Sequence, residues 1–113
     1  MIKEKFKSKI VKREGGGIYG IYENDVLVYI GMTTRPFEIR WQEHSERIKS
    51  RSNELALYSL IDTSAKIEFK KLLERDKMDC NDKITTRDLK AMEFALIQEH
   101  KPKYNFAGRS LPY

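Results

Sequence analysis

Cysteine is almost missing from this 113-residue chain. The single Cys80 has no partner for an internal disulfide, and no Cys/His cluster offers a structural zinc site. Proline and glycine are scarce, at three and six, and they form no linker or low-complexity tract. No internal repeat divides the chain. No apolar run approaches the ~18 residues of a membrane span, and the basic N-terminus is not followed by the apolar stretch of a signal peptide. These absences set aside secretion, membrane insertion and zinc-finger architectures. They leave a reduced, cytoplasmic protein as the expectation.

The residues that are present describe a globular chain. Apolar residues are 40% and charged residues 35%, with five Phe, six Tyr and one Trp. A chain this size has room for one domain and buries roughly two thirds of its unfolded surface. The net charge is +5, and it is concentrated at the start. Residues 1–14 carry Lys3, Lys5, Lys7, Lys9, Lys12 and Arg13 against Glu4 and Glu14. Gly15-Gly16-Gly17 then punctuates the chain, so we read 1–14 as a basic N-terminal extension and 15–113 as a single domain. The extension suits an anionic partner, nucleic acid before membrane, because Phe6, Ile10 and Val11 are too few for an interfacial helix. A solvated terminus is the other reading of the same residues.

Residues 17–22 and 26–31 are rich in Ile, Val and Tyr, and Glu23-Asn24-Asp25 between them are turn formers. This predicts a β-hairpin with a three-residue loop and a left-handed Asn24 or Asp25. Pairing Tyr22 with Val26 would place Tyr19 opposite Tyr29 and Gly17 opposite Gly31; a loop of another length shifts that register. A helix is expected over 35–50, with Pro36 in its first turn and Phe37, Trp41 and Ile48 on its apolar side. Arg40, His44 and Arg47 form an adjacent stripe of donors. Ser52-Asn53 is expected to cap a short helix holding Leu55, Leu57, Tyr58, Leu60 and Ile61. Residues 66–74 read as a third strand and 75–84 as a loop. A last helix starts at Thr85-Thr86 with Asp88 in its first turn, and ends before Pro102. Its apolar positions are Leu89, Met92, Leu96 and Ile97. Glu93 falls inside that stripe, where a carboxylate is costly unless something positive meets it.

Phosphodiester hydrolysis needs a hydroxyl to position or deprotonate water, a cation to take developing negative charge, and an oxygen ligand for a divalent metal. Paired tyrosines beside accessible glycine backbone, Arg40 with His44, and an isolated Glu93 supply those parts. A single carboxylate suits Mg²⁺, which keeps several waters and completes its shell with substrate phosphate. Each part also has a plainer reading. The tyrosines are a cross-strand aromatic pair, Arg40 pairs with Glu43 or Glu46, and His44 is a bystander. Glu93 meets an inward base, Asn105 turns the backbone after Pro102, and Met32 is packing.

Taken together the residues resemble the GIY-YIG nuclease superfamily. Gly17-Ile18-Tyr19 and Tyr29-Ile30-Gly31 are similar to its two signature tripeptides. Arg40-Trp41 with His44 resembles the Arg-Trp-x-x-His of its homing endonucleases. Glu93 with Leu96-Ile97, His100, Pro102 and Tyr104-Asn105 resembles the nuclease domain of the bacterial excision-repair incision subunit. The resemblance spans residues 17–105.

It implies an α/β domain of the α+β type, a small three-stranded antiparallel sheet flanked by helices, that cleaves DNA through one Mg²⁺ or Mn²⁺. Tyr19 and Tyr29 correspond to the active-site tyrosines; which of them is the general base differs between members, and here Tyr19 is favoured as the residue activating water and Tyr29 as a phosphate-contacting or orienting hydroxyl. Arg40 would hold the scissile phosphate, Glu93 the metal, and Asn105 would order the site's edge. His44 matches a histidine near the nucleophile or leaving group. Gly31, Arg35, Arg47 and the basic extension are expected to contact nucleic acid. Met32 departs from the lysine that excision-repair members carry there, which leaves Arg40 or Arg35 to compensate and keeps a second reading open, a nucleic-acid-binding module that has lost catalysis. With no room for a separate recognition domain, specificity is expected from this domain's loops, the extension, a homodimer or a partner protein.

Overall fold

The computed structural model describes residues 15–75 and 84–106. The basic extension, Cys80 and all but the ends of the expected 75–84 loop lie outside the described residues.

Two strands form the hairpin, β1 (Gly17–Glu23) and β2 (Val26–Thr33). Their turn is two residues long rather than three. Asn24 (φ 51°) and Asp25 (φ 68°) are both left-handed, as a type I′ turn requires, and short polar side chains tolerate that conformation. Glu23 therefore pairs with Val26. A bulge next to Tyr22 then leaves Val28 as an extra residue on β2. The two shifts move the register away from the expected one. Tyr19 lies opposite Gly31, Ile21 opposite Tyr29, and Gly17 opposite Thr33. Tyr19 and Tyr29 share a sheet face as diagonal neighbours instead of a direct pair.

The third strand, β3 (Ile67–Glu74), pairs antiparallel with the other edge of β1, giving the order β2-β1-β3. Central β1 is buried from Gly17 to Ile21, which explains its nearly unbroken apolar sequence. On one face, Tyr19, Ile21 and Val28 pack with Phe37, Ile48, Leu57, Tyr58 and Ile61. These last five come from α1 (Phe37–Ser50), α2 (Ala56–Leu60) and the residue that ends α2. On the other face, Ile18 and Ile30 pack with Leu89, Met92, Leu96 and Ile97 of α3 (Thr86–His100). A short α4 (Lys103–Phe106) lies against β2 and α2. No helix among the described residues is long and apolar enough to cross a membrane.

Helix ends follow local chemistry, with two departures from expectation. Pro36 is the N-cap of α1, one position before the first turn. Ser52 does not cap α2, whose N-cap is Leu55; the Ser52 hydroxyl instead accepts from Glu54 N at 3.2 Å, closing a turn. Arg51 braces the end of α2, its Nη1 donating to the carbonyls of Tyr58 and Ile61, each at 2.9 Å. α3 starts as expected in a capping box between Thr85 and Asp88 and stops at left-handed Lys101, before Pro102. Glu23 ties the far end of the sheet together. It accepts from Tyr104 Oη at 3.0 Å and Asp62 N at 2.8 Å, with Lys103 Nζ at 3.5 Å.

Candidate active site

Tyr19 stands in the middle of β1 with its side chain on the α1 face. Its ring lies directly over Gly31, where a Cβ would overlap the phenol oxygen. Only glycine at that position seats the ring against the strand. Gly31 is therefore buried, and it supports the phenol rather than offering accessible backbone to a nucleic acid.

The Tyr19 hydroxyl meets His44 Nε2 at 2.6 Å, and His44 Nδ1 meets the Tyr58 hydroxyl at 2.9 Å. His44, the middle member of the expected stripe of donors with Arg40 and Arg47, is fully buried. The cause is aromatic packing. The imidazole lies 5.6 Å from the rings of Tyr19 and Tyr58, 5.9 Å from Tyr29, and stacks on Phe69 at 6.4 Å. Burial, then the charges of Arg40 and Arg47, push the His44 pKa down to about 3. The ring is neutral at pH 7 and has one N–H to give.

Burial, then Tyr29, pushes the Tyr19 phenol up, against the opposing pull of Arg40. The two bond lengths fit one proton arrangement. At 2.6 Å the Tyr19 bond suits an O–H donor, and 2.9 Å suits an N–H donor. Tyr19 then donates to Nε2, and Nδ1–H donates to Tyr58. In that arrangement the Tyr58 hydroxyl accepts from His44 and orients the ring, a role hidden in the sequence by the apolar helix around it. The available signal was a phenol at a core position, which needs a polar partner when buried.

Arg40 lies one helical turn before His44, and its charge pulls the Tyr19 phenol down against burial. Its Nη1 also donates to Glu43 Oε1 at 3.0 Å. Arg35 grips the same carboxylate with both Nη atoms, at 3.0 and 2.8 Å, and Arg47 approaches it at 3.8 Å. Hydrogen bonds from Arg35 and then Arg40 hold the Glu43 carboxyl down at about 2. Tyr19, Tyr29, Arg40 and His44 are thus brought together as expected, with Arg35 and Arg47 at the rim.

Glu93 and Asn105 are placed differently. Glu93 belongs to α3, which packs on the opposite sheet face, and no hydrogen bond or ion pair among the described residues links it to Tyr19, His44 or Arg40. Half-burial raises its pKa, with Lys90 as the opposing charge. Asn105 pairs like a short strand with the free edge of β2. Its Oδ1 accepts from Ile30 N at 2.8 Å and its Nδ2 donates to Ile30 O at 2.9 Å. Ile30 lies between Tyr29 and Gly31, so Asn105 holds the second tripeptide in place. Met32 faces the α3 side and packs there.

No family model matches the chain, and no curated protein does. Among solved structures, its likeness is to a GIY-YIG endonuclease domain. The magnesium-bound N-terminal endonuclease domain of UvrC from Thermotoga maritima is 23% identical, covering 90% of this chain and 97% of that one, with a TM-score of 0.49. A point mutant of the same domain bound to its catalytic divalent cation is 22% identical, covering 89% and 94%, also at 0.49.

Among the described residues no group of three or more His, Cys, Asp or Glu could cage a metal. Glu93 nevertheless fits a divalent cation. It is a half-buried carboxylate on which Lys90 acts only as a nearby charge, with no ion pair to it among the described residues, and a single such oxygen ligand suits a water-rich Mg²⁺ shell. The Gly31 seat gives a prediction of its own. Gly31→Ala forces the Tyr19 ring off the strand and lowers stability by about 1–3 kcal/mol, as overpacking does. A urea melt measures that loss, and an unchanged midpoint would show that the ring does not depend on the seat.

Proposed function

We propose that this chain is a metal-dependent DNA endonuclease of the GIY-YIG type, hydrolysing phosphodiester bonds. The observation that best supports it is the 2.6 Å contact between the Tyr19 hydroxyl and a neutral His44, with the Arg40 guanidinium alongside. Tyr19 Oη takes the proton of an attacking water as its own proton passes to His44 Nε2, while the bond from Nδ1–H to Tyr58 keeps the ring oriented. Arg40 donates to a non-bridging oxygen of the scissile phosphate. Tyr29 orients the phosphate, and Asn105 keeps the β2 edge in register.

The relay is uphill in the free protein, since burial and two arginines oppose an imidazolium. A phosphate docked at Arg40 and Arg47 offsets those charges, so the base strengthens when substrate is bound. Glu93 would hold Mg²⁺ or Mn²⁺. Such a cation, when bound, supplies Lewis-acid stabilisation of the charge developing on phosphate. The basic residues Lys3 to Arg13 and the rim arginines contact backbone rather than bases. One such site cuts one strand, so a double-strand break needs a homodimer, a partner or two events.

A second reading, a binding module that keeps the fold without catalysis, is favoured by one observation. Glu93 is not joined to the tyrosine–arginine cluster. Supercoiled plasmid separates the two. Nicking in Mg²⁺ that a chelator stops is the expected result. DNA binding with no nicking in Mg²⁺ or Mn²⁺ leaves only the module.

A further inference from the structure

Glu43, a residue the relay does not use, is the hub of a charge cluster. Three guanidiniums converge on its carboxylate, from Arg35 at 2.8 Å, Arg40 at 3.0 Å and Arg47 at 3.8 Å. Arg47 is also held at 3.3 Å by Glu54. Three cations around two carboxylates leave the patch positive.

The geometry is informative in two ways. Arg35 takes both Glu43 oxygens in a parallel fork, the arrangement in which a guanidinium equally takes two oxygens of a phosphodiester. Exposure also differs among the three, 50% at Arg35, 33% at Arg47 and 24% at Arg40. Arg40, whose charge acts on Tyr19, is the most sheltered of them. Ion pairs this exposed are weak and open readily.

We infer that Glu43 is an internal stand-in for phosphate, occupying in the free protein the anion position that Arg35, Arg40 and Arg47 offer to the duplex DNA backbone, and that DNA displaces it. This rests on the nuclease reading for the identity of the ligand and adds a gate to it. Glu43 keeps the arginines gathered and screens the patch from stray anions. A backbone with several adjacent phosphates outcompetes it, whereas a single small anion does not.

The test measures binding alone. A short labelled duplex is titrated by fluorescence anisotropy in chelator, with Glu93→Gln in every protein so that cleavage plays no part. Adding Glu43→Gln tightens binding roughly three- to tenfold at low salt and steepens the salt dependence by about one phosphate equivalent. Adding Arg35→Gln instead weakens binding and flattens that dependence. Circular dichroism confirms the fold of each variant, and Glu43→Ala repeats the measurement with no side-chain amide to donate or accept. Unchanged or weaker binding by both Glu43 variants overturns the inference, since Glu43 would then only orient the arginines. Absence of salt-dependent DNA binding overturns it as well. A chain that gains affinity on Glu43→Gln, yet never nicks plasmid in its Glu93 form, keeps this inference and loses the nuclease.

Discussion

Tyr19→Phe lowers plasmid nicking by about 10²–10⁴, the range that a positioned proton acceptor contributes, while leaving the domain folded. The substitution removes one oxygen. The ring still rests on Gly31 and still meets Phe37 and Trp41 edge-on. What changes is the bond to His44, whose Nε2 is left without a donor in a buried place, at a cost of about 1–3 kcal/mol in stability. A thermal melt therefore shows a modest loss and single-turnover nicking a severe one. Tyr58→Phe is the informative comparison. It leaves the Tyr19 hydroxyl in place and takes away only the acceptor on Nδ1, so the stability loss is similar and the rate loss is nearer tenfold. If Tyr19→Phe nicks within tenfold of the unaltered chain, or if the two variants are equally slow, the proton does not travel through Tyr19 and His44.

That comparison depends on features of unequal visibility in the sequence. The architecture was legible because its signals are local. Alternating Ile, Val and Tyr around a polar turn give the hairpin. Thr85 with Asp88, and later Pro102, bracket α3 within a residue. Register was not legible, because the turn length and a bulge at Val28 each moved it, and a change of one residue in either shifts every pair beyond it. His44 was marked as a candidate, yet its burial follows from four rings contributed by three strands and a second helix. Tyr58 was hidden for the same reason. Its partner is fourteen residues away, and no helical or strand periodicity encodes that distance. Glu43 was visible only as a neighbour of Arg40, whereas its grip on Arg35 needs the loop before α1 folded back onto the helix.

Glu93→Gln is expected to do two opposite things at once. Half-burial raises the Glu93 pKa, and the charge of Lys90 offsets that only in part. The folded chain thus holds its proton more tightly than the unfolded one does. Ionisation therefore costs stability, progressively as pH rises from the unfolded value of about 4.3 through the raised folded one, and in full above it. Glutamine carries no such charge, so above that window the metal-free variant melts higher than the unaltered chain, and the difference fades as pH falls below about 4.3. A bound divalent cation reverses the order. It adds positive charge beside the glutamate, stabilising the folded chain by roughly 2.7 kcal/mol at a hundredfold excess over its Kd. The glutamine gains little. Nicking in the variant falls by at least 10³, in line with the several kcal/mol that a metal ion contributes to the transition state. Melts with and without Mg²⁺, at neutral and acid pH, read all of this without relying on activity. A Mg²⁺ shift that is the same size in both proteins would place the cation elsewhere and detach Glu93 from the chemistry.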